Sequence, residues 1–409
     1  MDVMIERCCG LDVHQATVVA CLMVGSSDGR PRKEIRTFGT VTKDLVCLRE
    51  WLLEQGCTHV AMESTGIYWK PVHAVLQDAF DVTVGNALHM RNLPGRKTDV
   101  KDSEWIADLL RHGMIAKSLV PSKPLAELRD LLRYRRKLTE SRSAERNRLL
   151  KLLDGANIKL SSFVTDVFGV SGMAMLKALL DGKPVDETAN LARGRLRKKL
   201  PQLALALEGR VEEHHRFILR LQLERLDEIE VHLAKLDARI EDKLQPYAEN
   251  RALICEVPGM DRINSARVVA ELGTDMSLFA SEAHVASWAG VCPGNNESAG
   301  RRRKSRVRKG NVYLTTTLVE AAQAAVRKKG SYFRDKFHRL KARRGYKRAL
   351  MAIAHKILRA IYHMLRLRTH YKDLGATYLD QVDQARTTKN LRRRLELLGY
   401  KVTLDKIAA

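Results

Sequence analysis

Short apolar runs broken by polar turns open the chain. In RCCGLDVHQATVVACLMV (7–24) two such runs flank the polar pair His14-Gln15, which predicts two strands joined tightly. SSDGRP supplies the next turn and KEIRTFGTV a third strand. The spacing then becomes helical in TKDLVCLREWLLEQG, with Thr42 as N-cap and Gly56 as the stop. THVAMEST reads as a short buried strand, GIYWKPVHAVLQDA as a helix, and DVTVGN as another strand. From about 125 to 160 the pattern is helical and basic, and glycines 169, 172 and 182 interrupt the next stretch. A long helix is predicted over roughly 203–246, where Leu219, Leu226, Leu233 and Ile240 recur every seven residues, with Ile229 and Leu236 between. That seam fits a coiled-coil arm or packing within its own domain. ALICEVPGMDRINSARVVAEL (252–272) has the form of a helix-hairpin-helix, a geometry that can present backbone N–H groups to phosphate. Further helices are predicted in SEAHVASWAGVCPG, NVYLTTTLVEAAQAAVRKK and RALMAIAHKILRAIYHMLRLR; beyond about 370 the chain is polar and is expected to be partly loose.

Three antiparallel strands followed by alternating helix and strand is the element order of an RNase H/RuvC-like core. The expected architecture is therefore an α/β domain over 1–115, a helical linker with a coiled-coil arm over 116–250, an all-α domain containing the helix-hairpin-helix over 251–345, and a basic helix and tail over 346–409.

Charge adds a partner. The chain carries 72 Lys/Arg against 48 Asp/Glu, formally +24. Residues 301–409 hold 30 basic and 7 acidic residues, a net of +23, which leaves 42 against 41, a net of +1, for 1–300. A polyanion is the partner such a segment selects, and the excess of Arg over Lys suits bidentate phosphate contacts. Seven cysteines form no CxxC pair and no zinc-like spacing with histidine. They read as buried thiols of a reducing cytoplasm, and neither a signal segment nor a membrane span is expected.

Two carboxylates sit where buried strands end: Asp12 in GLDVH and Glu63 in AMEST. A third group, KTDVKDSEWIADLL, places Asp99 and Asp102 on one helical face. Each has a plainer reading: Asp12 capping its turn, Glu63 pairing with Lys70 or Arg91, Asp99 as an N-cap. Taken together, four acids gathered at one point would repel one another unless cations intervene, and Mg²⁺ prefers such hard oxygen ligands. Two ions about 4 Å apart can polarise a phosphate and stabilise entering and leaving oxygens. Glu104 and Asp108 lie close by and read as supporting or surface residues.

GLDVHQ, MESTGIYWKPV and KTDVKDSEWIADLL, followed by VPGM, ARVVAELG, SWAGVCPGNNESAG and RKGN, resemble the DEDD/serine insertion-sequence transposases, over roughly 8–115 and 252–335. Ser103 and Ala299 depart from the family's usual residues. The resemblance implies that Asp12, Glu63, Asp99 and Asp102 hold Mg²⁺ and that Ser298 attacks a DNA phosphodiester to form a covalent phosphoserine. It also implies donor and target DNA as substrates, a structured bridge RNA as guide, and a homo-oligomer, dimer or tetramer, whose copies share composite sites.

On residues alone, Ser298 lies in a Gly/Asn loop, and most such serines only form turns. Arg301, Arg302, Arg303, Lys304, Arg306, Arg308 and Lys309 come directly after it and are the expected phosphate contacts. Ser305 is a rival without a glycine beside it. Two other functions use the same residues differently: a metal-dependent, structure-selective endonuclease in which Ser298 only touches DNA, and a non-enzymatic nucleic-acid-binding protein with a structural acidic cluster.

Overall fold

The computed structural model describes residues 3–25, 30–90, 102–294, 297–298, 301–302, 307 and 309–404. The chain divides into two compact units, 1–120 and 121–409.

The first unit is a five-stranded mixed sheet between helices. Its elements are β1 (Arg7–Val13), β2 (Thr17–Val24), β3 (Arg32–Gly39), α1 (Thr42–Glu54), β4 (His59–Glu63), α2 (Trp69–Leu76), β5 (Asp81–Gly85), α3 (Ala87–Met90) and α4 (Asp102–Arg111). The strand order is β3-β2-β1-β4-β5; β1 pairs antiparallel with β2 and parallel with β4. Alternation along the strands sorts the faces. Cys9, Leu11, Val60 and Met62 pack with Leu48, Trp51 and Leu52 of α1 and Val72 and Leu76 of α2. Cys8 and Ala61 pack on the opposite face with Ile106 and Ala107 of α4. Thr42 is the first helical residue of α1, and the N-cap is Val41, which makes no side-chain cap bond. Burial pushes the thiols of Cys8 and Cys57 up to about 12, so neither is a thiolate near neutral pH.

Gly10 decides how α4 meets the sheet. A Cβ there would lie 2.2 Å from the Ser103 carbonyl oxygen and 2.3 Å from the Ala107 nitrogen. The helix therefore rests backbone to backbone on β1, at a distance only glycine permits. Gly10→Ala is expected to destabilise the protein by about 3 kcal/mol, the upper part of the range for overpacking, because the clash is with helix backbone. A urea titration would show a lower midpoint with an unchanged slope, and an unmoved midpoint would contradict the close packing.

The second unit is helical apart from one ribbon. It comprises α5 (Lys123–Gly155), α6 (Leu160–Phe163), α7 (Val170–Leu180), α8 (Val185–Asn190), α9 (Leu200–Leu207), α10 (Glu213–Leu244), α11 (Ala248–Cys255), α12 (Arg262–Leu272), α13 (Glu282–Trp288), β6 (Glu297–Ser298), β7 (Arg301–Arg302), α14 (Val312–Ala325), α15 (Tyr332–Arg344), α16 (Tyr346–Leu367), α17 (Tyr378–Val382) and α18 (Gln384–Leu397). The long helix expected over 203–246 is broken. Gly209 sits against the Ala156 carbonyl, where a Cβ would come within 2.4 Å, and the Arg210 amide bonds that same oxygen at 2.9 Å.

The seven-residue seam of α10 faces its own chain. Ile229 and Leu233 pack on Leu138 of α5, while Leu219, Leu223 and Leu226 join a core with Leu149 and Leu153 of α5, Leu176 of α7 and Leu203 of α9. Lys243–Glu127 at 2.7 Å, Arg135–Asp237 and Arg142–Glu230 at 3.0 Å show the two long helices running antiparallel. These partly exposed pairs contribute little stability each and mainly set the register. The Pro-Gly turn between α11 and α12 presses on α14: Gly259 has φ +88° and its missing Cβ would lie 2.0 Å from the Ala321 oxygen. The segment beyond 370 forms α17 and α18, neither with a buried residue. No helix among the described residues is long and apolar enough to cross a membrane.

Candidate functional site

Strand register brings two of the sequence-predicted acids together. Gly10 pairs with Ala61 and Leu11 with Met62, so continuing the parallel ladder by one residue sets Asp12 beside Glu63. Neighbouring strands are about 4.8 Å apart. Asp12 shares the face of Cys8 and Gly10, and Glu63 the face of Ala61, which is the α4 face. Both carboxylates therefore stand at the C-terminal end of adjacent parallel strands on the same side of the sheet.

Helix α4 delivers the third. Its C-terminal residue Arg111 accepts the Met4 and Ile5 amides through its carbonyl, the Cys8 thiol reaches the Ala107 oxygen, and Ser103 lies over Gly10. The helix thus runs antiparallel to β1, and Asp102, its first residue, reaches the end of the strand that carries Asp12. Ser103 is buried against the sheet. Asp99 lies outside the described residues.

The neighbours of these acids are specific. Asp12 keeps 28% of its side chain exposed and lies 3.1 Å from Nε2 of His14. Glu63 accepts a hydrogen bond from the Thr65 hydroxyl. Glu104, in the first turn of α4, pairs with Lys33 on β3, and Asp108 faces His112 at 3.6 Å. Those two have side-chain partners of their own, a lysine and an imidazole. Asp12, Glu63 and Asp102 are half-exposed carboxylates, oxygen donors of the hard type a divalent cation takes, though the three do not bring their ligand atoms within 4.8 Å of one another. Among the described residues, the one group of three metal-ligand side chains with all ligand atoms within 4.8 Å is elsewhere: Glu212, His214 and His215 at the start of α10. There His215 Nδ1 already accepts the Glu212 amide as part of a helix cap.

In the second unit, Ser298 lies on a β-ribbon. Pro293 bridges Val307, Glu297 pairs with Arg302, and Ser298 with Arg301. The serine is thus the last paired residue before the ribbon tip, and Arg301 is its cross-strand partner. Lys309 is exposed near the base. Arg303, Lys304, Arg306 and Arg308 lie outside the described residues.

The ribbon leaves the helical body at a pinched root. A Cβ on Gly310 would come within 2.4 Å of the Gly290 nitrogen, so the two ends of the excursion touch through glycine backbones. Directly beyond, Asn311 caps α14 by accepting the Leu314 amide at 3.1 Å and donates through Nδ2 to Glu271 at 2.7 Å. Glu271 is only 3% exposed and is clasped by Arg133 through two bonds of 2.8 Å; Arg129 holds the backbone carbonyls of Ala270 and Glu271. Arg133 also lies 4.1 Å from the Tyr313 ring centroid. Glu271 is buried and Arg133 half-buried, so loss of the arginine would leave a buried carboxylate short of its charge partner, and the contact anchors the root. Sequence reasoning misses Glu271, Arg133 and Asn311. The signal for Glu271 is an acid inside the apolar run VVAEL; its partner on α5 lies 138 residues away and leaves no local trace.

Two family models match this chain. Residues 9–158 match the DEDD transposase model of the IS110 group, described as Transposase, and residues 251–338 match the model described as Transposase IS116/IS110/IS902 family. No curated protein matches it.

Proposed function

Because this chain belongs to the IS110-family transposases and is therefore a DNA-acting enzyme, we propose that it cuts and rejoins DNA through a covalent bond to Ser298. In this reading the first unit is RuvC-like, and Asp12, Glu63, Asp99 and Asp102 hold two Mg²⁺ ions. The observation that carries it is the meeting of Asp12, Glu63 and the start of α4 at one end of one sheet face. The order β3-β2-β1-β4-β5, with three antiparallel strands first, also supports it. A DEDD transposase domain implies dependence on a divalent metal. Mg²⁺ bound by these oxygens would polarise the scissile phosphate and offset charge on its entering and leaving oxygens.

The chain's own groups do the rest. The Ser298 hydroxyl oxygen forms a bond to phosphorus as the bond from phosphorus to one sugar oxygen breaks. The proton lost by serine balances the one gained by the released sugar hydroxyl. No oxidation or hydrolysis occurs, so the phosphoserine ester retains the energy needed to join a new end. Arg301, opposite Ser298 in the ribbon register, supports a phosphate-holding role, with Arg302, Arg303, Lys304, Arg306, Arg308 and Lys309 extending the basic field. The stiff root at Glu271 and Asn311 would hold the ribbon in place during attack. The same reading includes a structured bridge RNA as guide, supported by the +23 net charge of residues 301–409, and a homo-oligomer whose copies contribute serine and carboxylates to one phosphodiester.

The test is covalent capture. The protein is incubated with Mg²⁺ and element-end DNA nicked so that the cut fragment diffuses away, then run on a denaturing gel and digested. A peptide covering residue 298 and bearing DNA is expected. Cut DNA with free ends and no adduct would instead assign the chain to the endonuclease reading.

A further inference from the structure

The corner between α15 and α16 carries a second concentration of charge, separate from the serine ribbon. KARRGYKR, residues 341–348, is exposed at every position. Gly345, at φ +80°, turns the chain directly from one helix into the next. The last turn of α15 contributes Lys341, Arg343 and Arg344, and the first turn of α16 contributes Lys347 and Arg348.

None of these five cations makes an ion pair with a described residue. Elsewhere on the same helices the pattern differs: Arg339 is held by Asp335 and Asp380, and Arg359 by Glu282. The first turn of α16 contains no acidic residue, so Lys347 and Arg348 also stand against the helix dipole. Five like charges within eight residues repel one another, and no described acidic group compensates them. Tyr346, 49% exposed, leans edge-on against Phe337 at 5.5 Å and stiffens the turn. A surface arranged this way is complementary to an anion with several regularly spaced charges, not to a single carboxylate.

We propose that this corner grips the phosphate backbone of duplex DNA, as a contact independent of residues 301–309. The choice of DNA rests on the reading of the chain as a transposase; the charge arrangement itself requires only a phosphodiester backbone. Such contacts release counterions and confer no base preference.

The test is equilibrium binding to a short duplex of arbitrary sequence without divalent metal, so that no strand is cut and the result is independent of Ser298. The variant K341A/R343A/R344A/K347A/R348A is compared with the natural chain across a salt series, with R343A/R344A as a milder second variant. Affinity is expected to fall at least about tenfold at low salt. The slope of log affinity against log salt should become shallower by about 0.9 for every phosphate the corner no longer neutralises. The milder variant should lie between. Unchanged affinity and slope in both would overturn the proposal. Undiminished duplex binding with weakened binding of an RNA hairpin would overturn it too, by giving the corner to RNA.

Discussion

Ser298→Ala is expected to leave DNA binding intact while strand cleavage falls on the order of 10⁴-fold or more, in the range known for loss of a reacting hydroxyl. The protein–DNA adduct should vanish altogether. Ser298 ends a two-residue strand opposite Arg301, and removing one oxygen from that position disturbs neither the ribbon pairing nor the pinched root at Gly290 and Gly310. Binding draws on many cations and loses nothing measurable with one small polar atom. Chemistry loses the atom that forms the new bond. If the variant still cut at a rate near that of the natural chain in Mg²⁺, water would be the nucleophile and the covalent mechanism would be wrong. A variant that neither bound nor cut would show the serine to be structural.

Asp12→Asn should reduce cleavage and adduct formation about 10³-fold, at a cost of roughly 4 kcal/mol in the barrier. Asparagine keeps the shape of the side chain and removes its charge, so the loss would measure the carboxylate and not the strand. Two further readouts separate this from misfolding. Asp12 and Glu63 stand side by side on parallel strands, and like charges on neighbouring strands repel. Without metal, the variant is therefore expected to be slightly more stable than the natural chain. A ligand that binds only the folded state raises its stability, so Mg²⁺ should raise the melting temperature of the natural chain and have a smaller effect on the variant. Equal cleavage by both, or an equal response to Mg²⁺, would remove Asp12 from the metal site.

The first unit is legible in the sequence because its signals are local. Apolar runs of strand length, the His14-Gln15 turn and helical spacing after Thr42 each declare themselves within a dozen residues. Asp12 and Glu63 stand out as acids closing apolar strands. The pairing of Asp12 with Glu63 is not visible in that way, since it depends on which strands are neighbours and in which register. Periodicity also fails where a distant contact intervenes. Leu203, Leu207 and Val211 extend a helical pattern across the break before α10, and only the Ala156 carbonyl at the end of α5 reveals why the chain turns there. α15 escapes sequence reading because just Tyr332, Phe333 and Phe337 are buried among ten more polar or exposed positions. The serine segment reads as a turn from its glycines and asparagines. Its short ladder is held by cross-strand bonds that composition does not encode.

A paired support is built into the second unit. Because α10 spends its leucine seam on α5, the pair forms a two-helix strut instead of a free arm, and α10 alone measures about 48 Å over its 32 residues. The small helical cluster of α6 to α9 sits at one end of this spacer, and α11 with the bundle beyond it at the other. With Leu219, Leu223 and Leu226 fastened to that cluster and Ile229 and Leu233 to α5, neither group can swing as it would on a free arm.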